Sequence, residues 1–200
     1  MKKLLLPCLS IIIIAGCTIA PNKKNNISDL KYETVKLDSF FPVTSFIKGQ
    51  LTLLKNEPIT PLQVVTINNK SDSTWIKMNR LLLLLSPFLS PEIKETNFSN
   101  LFKQTSFKDQ TINTITFTYS PSVHLPDSIT LKHWDIYIDP ESGKLIKLYL
   151  VKTFKGVNEI ITQQLTWQTG KWAKITTLLN KPGNKPSILK EEKFIWNFDR

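Results

Sequence analysis

The chain has 200 residues, of which 41% are hydrophobic and 21% charged, a balance typical of a single globular domain. This composition excludes disordered, collagen-like and polytopic membrane chains. The formal net charge is +10. Arg80 and Arg200 are the only arginines, although arginine is the residue that bidentate phosphate and base contacts favour. We therefore interpret the positive charge as a solvated, lysine-rich surface and predict no nucleic-acid partner.

The N-terminus has the parts of an export signal. Residues 1–3 are positively charged, and residues 4–14 are apolar apart from Ser10. This apolar stretch is as long as the hydrophobic region of a signal peptide and too short to span a bilayer. It ends in Ile-Ala-Gly-Cys at residues 14–17, which resembles the lipobox of bacterial lipoproteins.

The lipobox resemblance implies a signal peptide over residues 1–16, cleavage between Gly16 and Cys17, and lipid attached to the Cys17 thiol. Two or three acyl chains make a stable anchor, because each buried methylene contributes about 0.8 kcal/mol. The resemblance therefore implies that the protein contacts a membrane through its lipid anchor. Cys8 is the only other cysteine, and it lies in the segment that would be removed. We expect the remaining body to have no free thiol and no disulfide.

Residues 17–28 are predicted to be the lipidated cysteine and a flexible tether, because residues 18–26 are mostly polar and have no apolar period. Thr18, not Asp, follows the cysteine, so the tether lacks the inner-membrane retention signal of the enterobacterial lipoproteins that it resembles. It also lacks the acidic cluster that resembles a surface-export signal in Bacteroidota. The expected location is the bacterial cell envelope, at the outer membrane facing the periplasm.

Residues 29–200 are predicted to form a single globular domain that begins with a helix over residues 38–56. Asp38 or Ser39 can cap this helix, and Pro42 suits its first turn. Apolar side chains recur at three- and four-residue spacing and form one stripe. The stripe consists of Phe40, Val43, Ile47, Leu51 and Leu54.

A hairpin is predicted next, from strand-like residues 62–67 and 74–78 with turn-forming residues at 68–72. Five consecutive leucines follow in a short helix that Asn79 can cap. They are apolar on every side, so they are expected either to be buried or to contact an apolar ligand or partner. Trp134 is a candidate for the same contact. These candidate contact residues are Leu81, Leu82, Leu83, Leu84, Leu85 and Trp134.

The second half of the chain is predicted to be β-rich after a further short helix around residues 98–102. Strong alternation of Thr with apolar residues over 113–119 is its clearest strand signal. Residues 139–143 are expected to form a turn with Gly143 at positive φ. Further strands are predicted at 134–138, 144–151, 158–168, 171–179 and 188–198.

The order of elements predicts an α+β fold: a curved antiparallel meander of about five strands, arranged as a sheet or half-barrel, with the N-terminal helix and short helices packed on it. This order resembles the lipid-carrying and lipoprotein-sorting half-barrels of the periplasm. The body also resembles small lipoproteins of Bacteroidota, a resemblance that implies no activity.

No catalytic signature stands out. His133 and Asp135 can share a strand face, but no nucleophile motif accompanies them, and Asp139 and Glu141 are better explained as turn residues. The spacing of His124 and His133 matches no metal site, so no metal and no cofactor are expected.

Five tryptophans fall in predicted strands, where core packing is a simpler explanation than sugar or lipid contact. If Thr169 and Gly170 form a two-residue hairpin loop, Trp167 faces Trp172 on one side of the sheet.

Two functions are consistent with these patterns. The first is a membrane-anchored, non-enzymatic protein-interaction domain with an envelope protein as its partner. The alternative is a periplasmic lipid or apolar-ligand carrier with a half-barrel cavity. An exposed apolar patch favours the first, and a large cavity lined by apolar side chains favours the second.

Overall fold

The computed structural model describes residues 40–198 and confirms the α+β class. The helices are α1 (Val43–Asn56), α2 (Met78–Leu84) and α3 (Glu95–Phe98), with a 3₁₀ helix at Ser86–Leu89. The first strands are β1 (Leu62–Ile67), β2 (Lys70–Trp75), β3 (Phe102–Asp109), β4 (Thr114–Pro121) and β5 (Leu131–Ile138). The others are β6 (Leu145–Lys155), β7 (Ile160–Gln168), β8 (Trp172–Asn180) and β9 (Ser187–Ile195).

Within residues 40–198, nine antiparallel strands form one curved open sheet in the order β2-β1-β9-β8-β7-β6-β5-β4-β3. Strands β3 to β9 are a continuous meander in which each strand pairs with the next. The meander is therefore longer than the predicted five strands. One strand that the prediction missed is β3, whose first residue, Phe102, had been assigned to the preceding short helix.

The first hairpin is present with a different boundary. Its two-residue turn is Asn68-Asn69, with φ of 52° and 62°, as a type I′ turn requires. Strand β2 consequently starts at Lys70, before the predicted start at residue 74. Its side chains are exposed along its whole length, which is why its sequence lacks the alternation of a half-buried strand.

Helix α1 begins at Val43, later than the predicted residue 38. Pro42 is the N-cap residue and provides no capping side chain. A residue before proline is driven away from the helical region, which explains why the helix does not extend back through Phe41. The predicted capping residues Asp38 and Ser39 lie outside the described residues.

One face of the sheet, here called the inner face, is covered by the helical segments. Phe88 of the 3₁₀ helix packs edge-on against Trp167 at 5.5 Å, and Phe98 of α3 packs against Trp134 at 6.1 Å. Trp134 also stacks on Tyr119 with ring centroids 4.6 Å apart. The helices and the inner face thus share one aromatic-rich core.

Two polar contacts inside this core attach the segment after α2 to its neighbours. The backbone N–H of Ile93 donates to the buried Thr44 hydroxyl at 2.7 Å. The buried Lys152 ammonium, on β6, donates to the carbonyl oxygens of Pro87 and Ser90. Burial lowers the pKa of Lys152 to about 8.

The loop of the hairpin between β7 and β8 is one residue longer than predicted. Gln168 faces Trp172 and Trp167 faces Ala173, so residues 169–171 form a three-residue loop. The Lys171 N–H donates to the Gln168 carbonyl at 3.1 Å, and Gly170 has φ of 73°. Thr169 is ill suited to the positive φ of a primed two-residue turn, which explains the longer loop. Trp167 and Trp172 therefore lie on opposite faces.

Candidate functional site

The predicted lipidation and cleavage residues, Cys17 and Gly16, lie outside the described residues. The structure does place the other candidates. Leu81, Leu85 and Trp134 are fully buried in the core, whereas Leu83 is exposed. Leu82 and Leu84 are partly buried against the same core. Because the run lies on a helix, its members point in different directions and do not form a common contact surface.

The His133–Asp135 pair forms on the outer face of the sheet. His133 Nε2 lies 3.0 Å from Asp135 Oδ2, and the Thr118 hydroxyl donates to Asp135 Oδ1 at 2.6 Å. The carboxylate therefore stands between the hydroxyl and the imidazole. In a nucleophile relay the imidazole must accept the hydroxyl proton, so this order gives Thr118 no activating base.

Two tyrosines flank that pair without supplying a base. Burial raises the pKa of Tyr137 and of Tyr149, and the nearby Asp135 charge raises both further. Both phenols therefore remain protonated near neutral pH. Lys147 lies over the Tyr137 ring at 3.8 Å from its centroid. The arrangement is a packed polar cluster on the outer face.

Asp139 has the predicted structural role in the turn at residues 139–143. Asp139 Oδ1 accepts the backbone N–H groups of Glu141 at 3.0 Å and Ser142 at 2.7 Å. These bonds, together with one from the Ser142 hydroxyl at 3.0 Å, hold the pKa of Asp139 below its ordinary value. Gly143 has the predicted positive φ, at 67°.

One candidate site is a groove of about 550 Å³ between the C-terminal half of α1 and the end of β9, here called the end groove. Its apolar lining comes from the helix, from Ile59 and from the residues after β9. Polar groups interrupt this lining. The full lining is Gln50, Leu53, Leu54, Glu57, Ile59, Gly170, Trp196, Asn197 and Phe198.

Exposed apolar side chains border the end groove. Leu53 is 62% exposed, and Phe198 is 55% exposed. Phe198 contacts the ring of Trp75, which is itself 60% exposed, with centroids 5.8 Å apart. These three residues place exposed apolar side chains around the groove. Trp196 at the base of the groove packs against Trp167 at 5.0 Å, which couples the groove to the core.

Sequence reasoning missed this site. Leu53 is an apolar residue outside the apolar stripe of α1. This position in the helix could have indicated that its side chain points away from the core. Phe198 was predicted to lie in the strand over residues 188–198. Strand β9 ends at Ile195 instead, and the chain leaves the sheet there.

Compared with protein-family models, with curated proteins and with solved structures, the chain matches none of them. Across residues 40–198, no helix is long and apolar enough to cross a membrane. The same part of the chain holds no cluster of three or more His, Cys, Asp or Glu side chains placed to bind a metal ion.

Proposed function

We propose that the protein is a lipid-anchored protein of the bacterial cell envelope that binds an envelope protein through the end groove and catalyses no reaction. The anchor rests on the lipobox at residues 14–17. The observation that carries the binding role is the exposed apolar surface of Leu53, Trp75 and Phe198 around a groove. Contiguous apolar surface of this kind marks interaction sites.

The lining of the end groove supports a protein partner. Protein interfaces combine an apolar centre with a polar rim. Here Leu53, Leu54 and Phe198 provide apolar surface, while Gln50 and Glu57 provide polar groups from the same helix. A partner segment with one or two apolar side chains and backbone groups free to bond to the rim fits this chemistry.

The inner face argues for the interaction role over the carrier role. A half-barrel carrier holds its cargo against the face that its helices enclose. In this chain Phe88 packs on Trp167 and Phe98 packs on Trp134, and all four side chains are buried. Cargo on that face would have to displace core side chains, which is costly in a close-packed interior.

Photo-crosslinking from the end groove tests the proposed partner. With a photoreactive amino acid at Leu53 of the full chain in bacterial cells, we expect a discrete protein adduct. Leu83 is a matched control, because it is also a helical leucine and is 65% exposed. Equal adducts at both positions, or none at Leu53, would contradict the groove as a binding site. A lipid adduct at Leu53 would favour the carrier function.

The anchor is tested separately. We expect Cys17→Ala to abolish fatty-acid labelling and to leave an uncleaved precursor, because the lipid-accepting thiol is lost. Cys8→Ala is the control and should be labelled and processed like the unaltered protein. Incorporation of a radioactive fatty acid measures labelling, and the mass of the product shows whether the precursor is cleaved. Undiminished labelling of the Cys17→Ala variant would exclude this anchor.

A further inference from the structure

Three loops lie together at the end of the sheet opposite the end groove, and we call them the loop rim. They are residues 122–130, 156–159 and 181–186. An ion pair of 2.6 Å joins Asp127 in the first loop to Lys155, the last residue of β6, which directly precedes the second loop. A groove of about 480 Å³ lined by residues 155–160 and 180–182 joins the second to the third.

The loop rim exposes apolar side chains where hairpin loops ordinarily place small polar ones. Val157, at the tip of the β6–β7 hairpin, is 99% exposed. More than half of the large exposed apolar residues in the described part of the chain lie at this end of the sheet. They are Ile67, Val123, Phe154, Val157, Ile160, Ile188 and Leu189.

The third loop of the rim and the start of β9 are rich in lysine. The segment 181–190 contains Lys181, Lys185 and Lys190 and no carboxylate. Lys190 pairs with Glu192 at 2.9 Å, but no ion pair within residues 40–198 involves Lys181 or Lys185, both of which are exposed. The third loop therefore presents two lysines without an ion pair beside Ile188, whereas Val157 shares its loop with Glu159.

We propose that the loop rim docks on an anionic lipid bilayer, with Val157 and its apolar neighbours in the interfacial layer and Lys181 and Lys185 at the lipid phosphates. Apolar side chains flanked by lysines are the combination that binds a membrane surface, because hydrophobic insertion and electrostatic attraction add. The lysines complement anionic headgroups, and the separate loops can enter the bilayer without unfolding the sheet.

This membrane contact is independent of the proposed partner site. Strand β9 starts beside the loop rim at Ser187 and ends beside the end groove at Ile195. Nine extended residues span about 30 Å, so a body docked by its loop rim holds the end groove away from the bilayer. The proposed orientation leaves the groove accessible to an envelope protein.

Position-specific crosslinking to lipid tests the orientation. The full chain, with a photoreactive diazirine amino acid at Val157, is reconstituted in vesicles of phosphatidylcholine and phosphatidylglycerol. We expect several-fold more lipid adduct than from Ile112, which is 54% exposed and lies in the β3–β4 loop at the other end of the sheet. Comparing two positions in the same anchored chain removes the contribution of the N-terminal lipid.

The charge requirement is tested in the same assay. The Lys181→Glu/Lys185→Glu variant, and vesicles of phosphatidylcholine alone, should each reduce the Val157 adduct several-fold. Circular dichroism and thermal melts check that the altered chains are folded, which is expected because these residues are exposed. Equal adducts at Val157 and Ile112, no response to charge, or a protein adduct at Val157 in cells would each overturn the membrane proposal. None of these results bears on the Leu53 crosslink.

Discussion

Replacing Trp167 with alanine is expected to lower the free energy of unfolding by about 3–5 kcal/mol, as for other large core aromatics. Trp167 is fully buried and packs against Phe88 and Trp196. Its removal leaves a cavity between the sheet and the 3₁₀ helix. Denaturant unfolding of the purified protein measures the loss.

Trp172 is the matched control for this change. It lies on the other face of the sheet, half-buried, with Lys193 over its ring at 4.8 Å. We expect Trp172→Ala to cost about 1 kcal/mol or less, because it leaves no enclosed cavity. Similar losses for both variants would contradict the assignment of Trp167 to the enclosed core and of Trp172 to the open face.

Stability should rise with pH above neutrality because of Lys152. Its pKa is about 8 in the folded protein and near 10.5 when the chain is unfolded, so the unfolded state binds the proton more tightly. The stabilisation is complete only above the unfolded value and is lost as pH falls through about 8. Between about pH 7.5 and 9.5 we expect a gain of about 2 kcal/mol in denaturant unfolding.

The Lys152→Met variant separates this effect from other titrations. Methionine keeps most of the side-chain volume but has no proton to release, so its stability should change little over the same pH interval. Burial raises the pKa of Tyr119, Tyr137 and Tyr149, and the variant keeps all three, so their titration contributes equally to both proteins. An equal rise with pH in the variant would show that Lys152 does not cause it.

The sequence predicts the elements of this fold better than their register. Alternation over 113–119 and the turn at residues 139–143 are local patterns, and both are present in the structure. Register depends on loop length. The loop after Gln168 has three residues where two were predicted, so Trp172 lies on the opposite face from Trp167.

The site was less predictable because exposure is a property of the assembled molecule. The leucine run at 81–85 is the most apolar segment of the body, yet two of its members are fully buried. Leu53 and Phe198 are separated by most of the chain. They line the same groove because β1 pairs with β9, which brings the end of β9 close to α1. No local pattern encodes that pairing.

The β1–β9 pairing also sets an order of events for the newly made chain. Gln63 on β1 bonds to Glu192 on β9 at 3.3 Å, although 129 positions separate them. Strands β3 to β8 pair with their neighbours in the sequence. These pairs can form early, because their short loops close at a small entropic cost. The hairpin of β1 and β2 can join the sheet only after β9 has formed, because β1 pairs with β9. Until then β1 and β8 each present an open edge, and such edges are prone to wrong pairing in a newly made chain.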